Sequence, residues 1–166
     1  CVNTTPVGSN IVTITVNAGI APGTIGSDQT ICYGGFAAAT TEITGTDAPS
    51  PTYSWEVATA LAGTYTLIPA ETGTTYSPPA VALTADVYLR RVVTDASLPS
   101  ACNSATSNTI KITVRTQLVA GVIGSDGTIC SGSVPNTMTQ VTAPTGGTGS
   151  FTYQWQSDAT GSFGDI

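Results

Sequence analysis

Apolar and polar residues alternate with a period of two through much of this chain. In Tyr53-Ser54-Trp55-Glu56-Val57 the large apolar side chains fall at every second position. Val87, Leu89, Arg91 and Val93 likewise share one side of a run whose other side is Tyr88, Arg90 and Val92. That is the period of a β-strand rather than of a helix. Turn residues interrupt the pattern every ~8–12 positions, the spacing of short antiparallel strands. The pattern predicts strands over 23–32, 37–44, 52–58, 65–68, 74–77, 86–94 and 109–115. Between them lie turns such as Tyr33-Gly34-Gly35 and Pro78-Pro79. No stretch combines a helical period with caps. Strands of this number and length predict an immunoglobulin-like β-sandwich.

The pattern also recurs. Asn10-Ile11-Val12-Thr13-Ile14-Thr15-Val16 returns as Asn108-Thr109-Ile110-Lys111-Ile112-Thr113-Val114, and Thr30-Ile31-Cys32 as Thr128-Ile129-Cys130. Both pairs are offset by 98 positions (Asn10 to Asn108, Cys32 to Cys130). The match slips by two residues at Tyr53-Ser54-Trp55 against Tyr153-Gln154-Trp155. It returns to the first offset at Gly63-Thr64-Tyr65 against Gly161-Ser162-Phe163. A period of about one hundred residues is the size of one sandwich domain. The expected fold is therefore all-β, with immunoglobulin-like β-sandwich repeats in tandem. Residues 1–19 read as the C-terminal strand of a preceding repeat, 20–117 as a complete repeat, and 118–166 as the N-terminal part of a following one. Both ends then read as cuts through a longer protein. The joints at 17–26 and 115–124 contain no long Gly/Ser or Pro-rich tract, which favours a semi-rigid rod.

Composition narrows the function. The 166 residues carry 4 basic and 10 acidic side chains and no histidine, for a net charge of −6. So few basic groups leave nothing to neutralise phosphates, and nucleic acid is not an expected partner. Charged residues are only 8% of the chain, so neutral polar groups must carry its solubility. Threonine, which suits strands, supplies roughly a fifth of the residues. No run of apolar residues is long enough to span a bilayer, and no membrane insertion is expected. The absence of histidine removes Ser-His-Asp and Cys-His arrangements. Glu42, Glu56 and Glu71 are scattered, with no spacing that selects a carboxylate pair for glycoside hydrolysis. Gly34-Gly35 and Gly146-Gly147 read as turns rather than phosphate loops. The expectation is a non-catalytic chain without a cofactor.

Four cysteines follow the same period: Cys32 matches Cys130, and Cys1 matches Cys102. Zinc would need a CxxC or histidine ligands, and there are none. A disulfide between Cys32 and Cys102 is the expected use, implying an oxidising compartment. Cys1 and Cys130 would then lack partners in this chain. Calcium at the joints would need several carboxylates, whereas Asp28 and Asp126 stand alone there and Asp86 and Asp95 flank one strand. Lys111 matches Thr13, so a Lys–Asn isopeptide link is not part of the period. Asn3-Thr4-Thr5 is a glycosylation acceptor without a counterpart one period later, and reads as chance. Trp55, Tyr53, Tyr88 and Trp155 are the expected core aromatics. An arginine of the 86–94 run is placed to cover Trp55. A sugar-stacking platform is the functional rival for these rings.

The strings Gly26-Ser27-Asp28-Gln29-Thr30-Ile31-Cys32, Tyr53-Ser54-Trp55-Glu56, Thr74-Thr75-Tyr76-Ser77-Pro78-Pro79 and Tyr88-Leu89-Arg90-Arg91-Val92 carry a family resemblance. The chain resembles the immunoglobulin-like repeats of giant surface proteins of Bacteroidetes, including gliding-motility adhesins exported by the type IX secretion system. That resemblance implies an extracellular, cell-surface location and a structural stalk of an adhesin or filament. It implies as partners the neighbouring repeats of the same polypeptide, other copies in a filament, and surface or polysaccharide ligands bound by other regions. The alternative is a carbohydrate-recognising immunoglobulin-like module of a secreted protein.

Overall fold

The computed structural model describes Gly8, residues 10–158 and residues 161–166. Cys1 and the Asn3-Thr4-Thr5 acceptor lie outside the described residues. Among them the fold is all-β, with no helix. The first seven strands are β1 (Thr24–Gly26), β2 (Gln29–Ile31), β3 (Thr41–Thr44), β4 (Thr52–Ala58), β5 (Thr66–Ile68), β6 (Val87–Thr94) and β7 (Ser104–Val114). One sheet has the order β2-β7-β6-β4-β5, and a second pairs β1 with β3. All these pairings are antiparallel except β2 with β7, which run parallel.

The alternation sets which side chains meet. Trp55 pairs with Arg91 and Val57 with Leu89 across β4 and β6, so Trp55, Val57, Leu89, Arg91 and Val93 point to one face. Ile110 and Ile112 of β7, Ile25 of β1 and Tyr76 complete a core around Trp55, each at most 6% exposed. The Trp55 and Tyr76 rings lie 5.7 Å apart, tilted by 33°. The indole N–H donates to the Gly73 carbonyl at 2.9 Å, so the largest core side chain carries no orphaned polar atom. Opposite Arg91 the register of β7 slips, and the Arg91 amide donates to the Ser107 hydroxyl at 3.0 Å. This bulge turns Ile110 and Ile112 inward.

Several strands differ from the expectation. The 23–32 run divides into β1 and β2, which join different sheets. Asn108 makes the division possible: its side-chain amide accepts from the Ile25 N–H at 2.8 Å and donates to the Ile25 carbonyl at 2.7 Å. The 37–44 run narrows to β3, because the Gln29 side-chain amide bonds both the N–H and the carbonyl of Ala38 (2.8 and 2.9 Å). The 74–77 run is not a strand, yet Tyr76 and Thr40 are joined by two hydrogen bonds of 2.8 Å. β7 begins earlier than residue 109 and is the longest strand, at 11 residues.

Tyr53 and Tyr88 are half-buried rather than core residues. Tyr88 pairs with Ala58 and Lys111 and so faces away from Trp55, toward the Lys111 ammonium 5.7 Å from its ring.

Beyond residue 115 the strands are β8 (Val122–Gly124), β9 (Thr139–Thr142), β10 (Gln156–Ser157) and β11 (Gly164–Asp165). The pairing of β8 with β9 copies that of β1 with β3 residue for residue at an offset of 98, including the register shift after the first pair. β10 and β11 pair as part of β4 and β5 do. Here, however, Trp155 is 49% and Ile123 59% exposed, against 0% and 2% for Trp55 and Ile25. Residues 10–19 form no strand, and Ile11, Val12, Ile14 and Val16 are exposed.

Trp55→Ala should lower stability by roughly 3–5 kcal/mol, read from the denaturant midpoint by circular dichroism. Trp155→Ala, at an exposed position, should move the same midpoint far less.

Candidate functional site

The chain approaches β1 through Ala21-Pro22, and the side chain that holds this approach is Arg91. Its guanidinium is fully buried. Nη1 donates to Glu42 Oε2 at 3.0 Å and to the Thr74 carbonyl at 2.7 Å, and Nη2 donates to the Pro22 carbonyl at 3.0 Å. The group stacks over Tyr53, 4.9 Å from the ring centroid, and not over Trp55 as expected. Nε has no partner. A cation stripped of water in this way is tolerable only because several oxygens replace the hydration shell. Those oxygens come from β3, from the segment before Tyr76 and from Pro22 ahead of β1, so one side chain of the large sheet grips the opposite layer. The sequence carried the signal: Arg91 is a charge at an inward position of an otherwise apolar alternation.

The segment ahead of β1 is held again at Ala21. Its N–H donates to Asp47 Oδ1 at 2.7 Å, and its carbonyl accepts from the Thr46 hydroxyl at 2.7 Å. The positions 98 residues later are Val119 and Thr145, which exchange two backbone hydrogen bonds of 2.9 and 3.0 Å. Gly147 N–H donates to the Thr116 carbonyl at 3.0 Å. Gly146 sits at φ +83°, where any Cβ would strike the Gln117 carbonyl. The segment after β7 is therefore fastened along its length to the 145–147 turn, not left as a free linker.

The expected disulfide is not formed; Cys32 and Cys102 are both free. The register explains why. Cys32 follows Ile31, which pairs with Val114 at the end of β7, whereas Cys102 precedes Ser104 at its start. The length of β7 keeps them more than about 30 Å apart, and a disulfide needs Cα atoms within about 7 Å. The oxidising compartment inferred from that bridge loses its support with it. Cys130 is also free.

The outer face of the large sheet carries two further cations. Arg90 donates to Glu56 Oε2 at 2.7 Å and lies 3.8 Å from the Tyr65 centroid. Lys111 Nζ stands 2.7 Å from Asp86 Oδ2. The Lys111 side chain and the Val114 N–H hold the Asp86 carboxyl below its ordinary value. Asp86 in turn raises Lys111. The Asp95 carboxylate accepts from the Ser97 hydroxyl, the Ser50 N–H and the Ser97 N–H, which lower its pKa in that order. Asp28 accepts from the Lys111 N–H at 2.8 Å. Three of the aspartates weighed for calcium, Asp28, Asp86 and Asp95, are thus separate backbone or ion-pair acceptors. Among the described residues, no group of three or more His, Cys, Asp or Glu side chains could hold a metal ion.

One cavity of about 200 Å³ lies at the end of the unit where the chain leaves, lined by residues such as Ala37, Tyr76, Pro79, Leu83 and Leu89. Its lining is apolar apart from Tyr76, whose pKa burial and, secondarily, Glu71 push up. No helix among the described residues is long and apolar enough to cross a membrane.

Arg91→Met strands the Pro22 and Thr74 carbonyls and should cost about 3–5 kcal/mol by denaturant unfolding. Glu42→Gln keeps an acceptor and should cost less. The lowered Asp86 and Asp95 stabilise the fold above their ordinary value of 3.8 and cease to as pH falls through their folded values. The raised Lys111 stabilises it below 10.5, until pH rises through its folded value. The melting temperature should therefore be flat from about pH 5 to 7 and fall below about pH 4. Asp95→Asn should flatten that acid limb.

Comparison with curated proteins gave no match, and comparison with solved structures gave none. A family did match, over residues 21–116, the stretch from Ala21 through all of β1 to β7. That is more than half of the chain, and the chain belongs to this family, described as Domain of unknown function (DUF8696).

Proposed function

We propose that this chain is a segment of a non-catalytic structural stalk, built of immunoglobulin-like domains in tandem, in a long extracellular adhesin or surface filament. The observation that carries the reading is the fastened joint. Thr116, two residues past β7, accepts from the Gly147 N–H beyond the next hairpin, and Val119 is tied to Thr145 as Ala21 is to Asp47. That hairpin repeats the β1–β3 register 98 residues on. Units joined without slack transmit orientation along a chain, which is what a stalk requires. The immunoglobulin-like assignment is supported by the strand order β2-β7-β6-β4-β5 facing the β1–β3 pair, and by a tryptophan at the core of β4. The cell-surface location and any role in gliding motility rest on the resemblance in sequence.

The carbohydrate-binding alternative would be favoured by a flat aromatic face. In residues 20–117, Trp55 and Tyr76 are buried, Tyr53, Tyr65 and Tyr88 each have a cation near the ring, and Tyr33 and Phe36 are exposed.

β7 alone spans about 36 Å at ~3.3 Å per residue, so each unit should add roughly 35–45 Å to a rod. Small-angle scattering of a protein with three consecutive copies of residues 20–117 should give a maximum dimension about three times that length. A compact particle would overturn the stalk reading.

A further inference from the structure

Cys32 and Cys102 stand at opposite ends of the domain because β7 runs between them. Cys32 lies where the chain leaves: the carbonyl of its neighbour Ile31 accepts from the Arg115 N–H at 2.9 Å. Cys102 lies on the side where the chain approaches β1. The carbonyl of its neighbour Asn103 accepts from the Asp95 N–H at 2.8 Å. The Asp95 carboxylate accepts from the Ser50 N–H at 2.7 Å, and Asp47, three residues earlier, accepts from the Ala21 N–H. Cys32 is exposed and Cys102 half-buried, so neither thiol is sealed into the core. Both positions recur. Cys130 repeats Cys32 at an offset of 98, and Cys1 repeats Cys102 ahead of the matching run at Asn10. Each period therefore supplies one thiol for each end of a domain.

We propose that these cysteines bridge neighbouring domains: Cys32 of one domain forms a disulfide with the counterpart of Cys102 in the domain that follows it. The inference rests on the tandem reading, in which the exit end of one domain meets the approach end of the next. The joint brings those ends together. Only Thr116, Gln117 and Leu118 separate Arg115 from Val119, the counterpart of Ala21, and four residue steps reach no more than about 13 Å. The partners are 168 positions apart in sequence, the 70 from Cys32 to Cys102 plus one period of 98. Closure proceeds by thiol–disulfide exchange with a small disulfide oxidant such as oxidised glutathione. The thiolate of one cysteine attacks the oxidant and releases one thiol from it. The thiolate of the second displaces the other thiol from the mixed disulfide. The two protein thiols thus lose two protons and two electrons, and the oxidant leaves as two thiols. The bond is a second covalent link across the joint, beside the main chain, and stops the two domains from pivoting about a single connection.

Residues 20–117 hold the whole apolar core around Trp55, and neither cysteine belongs to it. Two consecutive copies of this stretch carry four cysteines, and serine variants leave a chosen pair. Cys102→Ser in the first copy with Cys32→Ser in the second keeps the pair that the proposal joins. Cys32→Ser in the first with Cys102→Ser in the second keeps the two thiols at the far ends. Both substitutions in one copy keep a pair within a single domain. Circular dichroism should show the same fold for all three. Held dilute with reduced and oxidised glutathione, the first protein should close its bridge, read as a loss of two hydrogens from the intact mass of the monomer. The other two should show no such loss. Failure of the first to close, or equal closure of either other arrangement, would overturn the proposal. Small-angle scattering of the first protein reads the rod separately: an elongated particle without the bridge overturns the bridge and leaves the stalk reading in place.

Discussion

The burial of one guanidinium constrains the rest of the domain over residues 21–116. Arg91 is fully enclosed, so every oxygen it needs must be brought to it by protein. Glu42 fixes β3, Thr74 fixes the irregular segment that delivers Tyr76 to the core, and Pro22 fixes the entering chain. An apolar residue at this position would pack without specifying where those three segments lie. The same strand supplies Leu89 and Val93 to the apolar interior on either side. Hydrophobic burial drives the two layers together, and the guanidinium sets their alignment.

Much of the architecture was legible because period-two alternation survives wherever a strand has one buried face. β4 falls on the expected 52–58, and β6 begins one residue inside its expected run. The alternation was least informative where side chains replace backbone partners. Gln29 occupies the edge that residues 37–40 would otherwise offer a strand, and Asn108 grips Ile25 across the point where one expected strand becomes two. Polar side chains acting as surrogate backbone leave no periodic trace. The cysteine pairing failed for a related reason. Position in a period says which residues are equivalent, not which are close, and the parallel run of β2 beside β7 sends Cys32 to the opposite end from Cys102. The assignment of Tyr88 to the core failed on parity alone, since it alternates with Leu89.

The chemistry of the surface agrees with this plainness. Asp28, Asp47, Asp86 and Asp95 hold backbone N–H groups, and Glu42, Glu56 and Asp86 form three ion pairs. The cavity at the exit end is apolar. The two hairpins fold the same way, and the first is covered by β6 and β7. Ile25 and Ile123 sit in the same register and differ in exposure from 2% to 59%.

The parallel placement of β2 beside β7 has a mechanical consequence. The chain enters near the start of β7 and leaves beyond its end at Arg115, so a pull on the two ends draws β2 and β7 in opposite directions along their shared edge. The ladder from Gln29 to Ile31 is then loaded in shear. The Asn108 grip on Ile25, the Lys111 bond to Asp28 and the Arg115 bond to Ile31 lie along the same seam. Under tension these bonds share the force and must break together, whereas an antiparallel terminal hairpin would unzip one pair at a time.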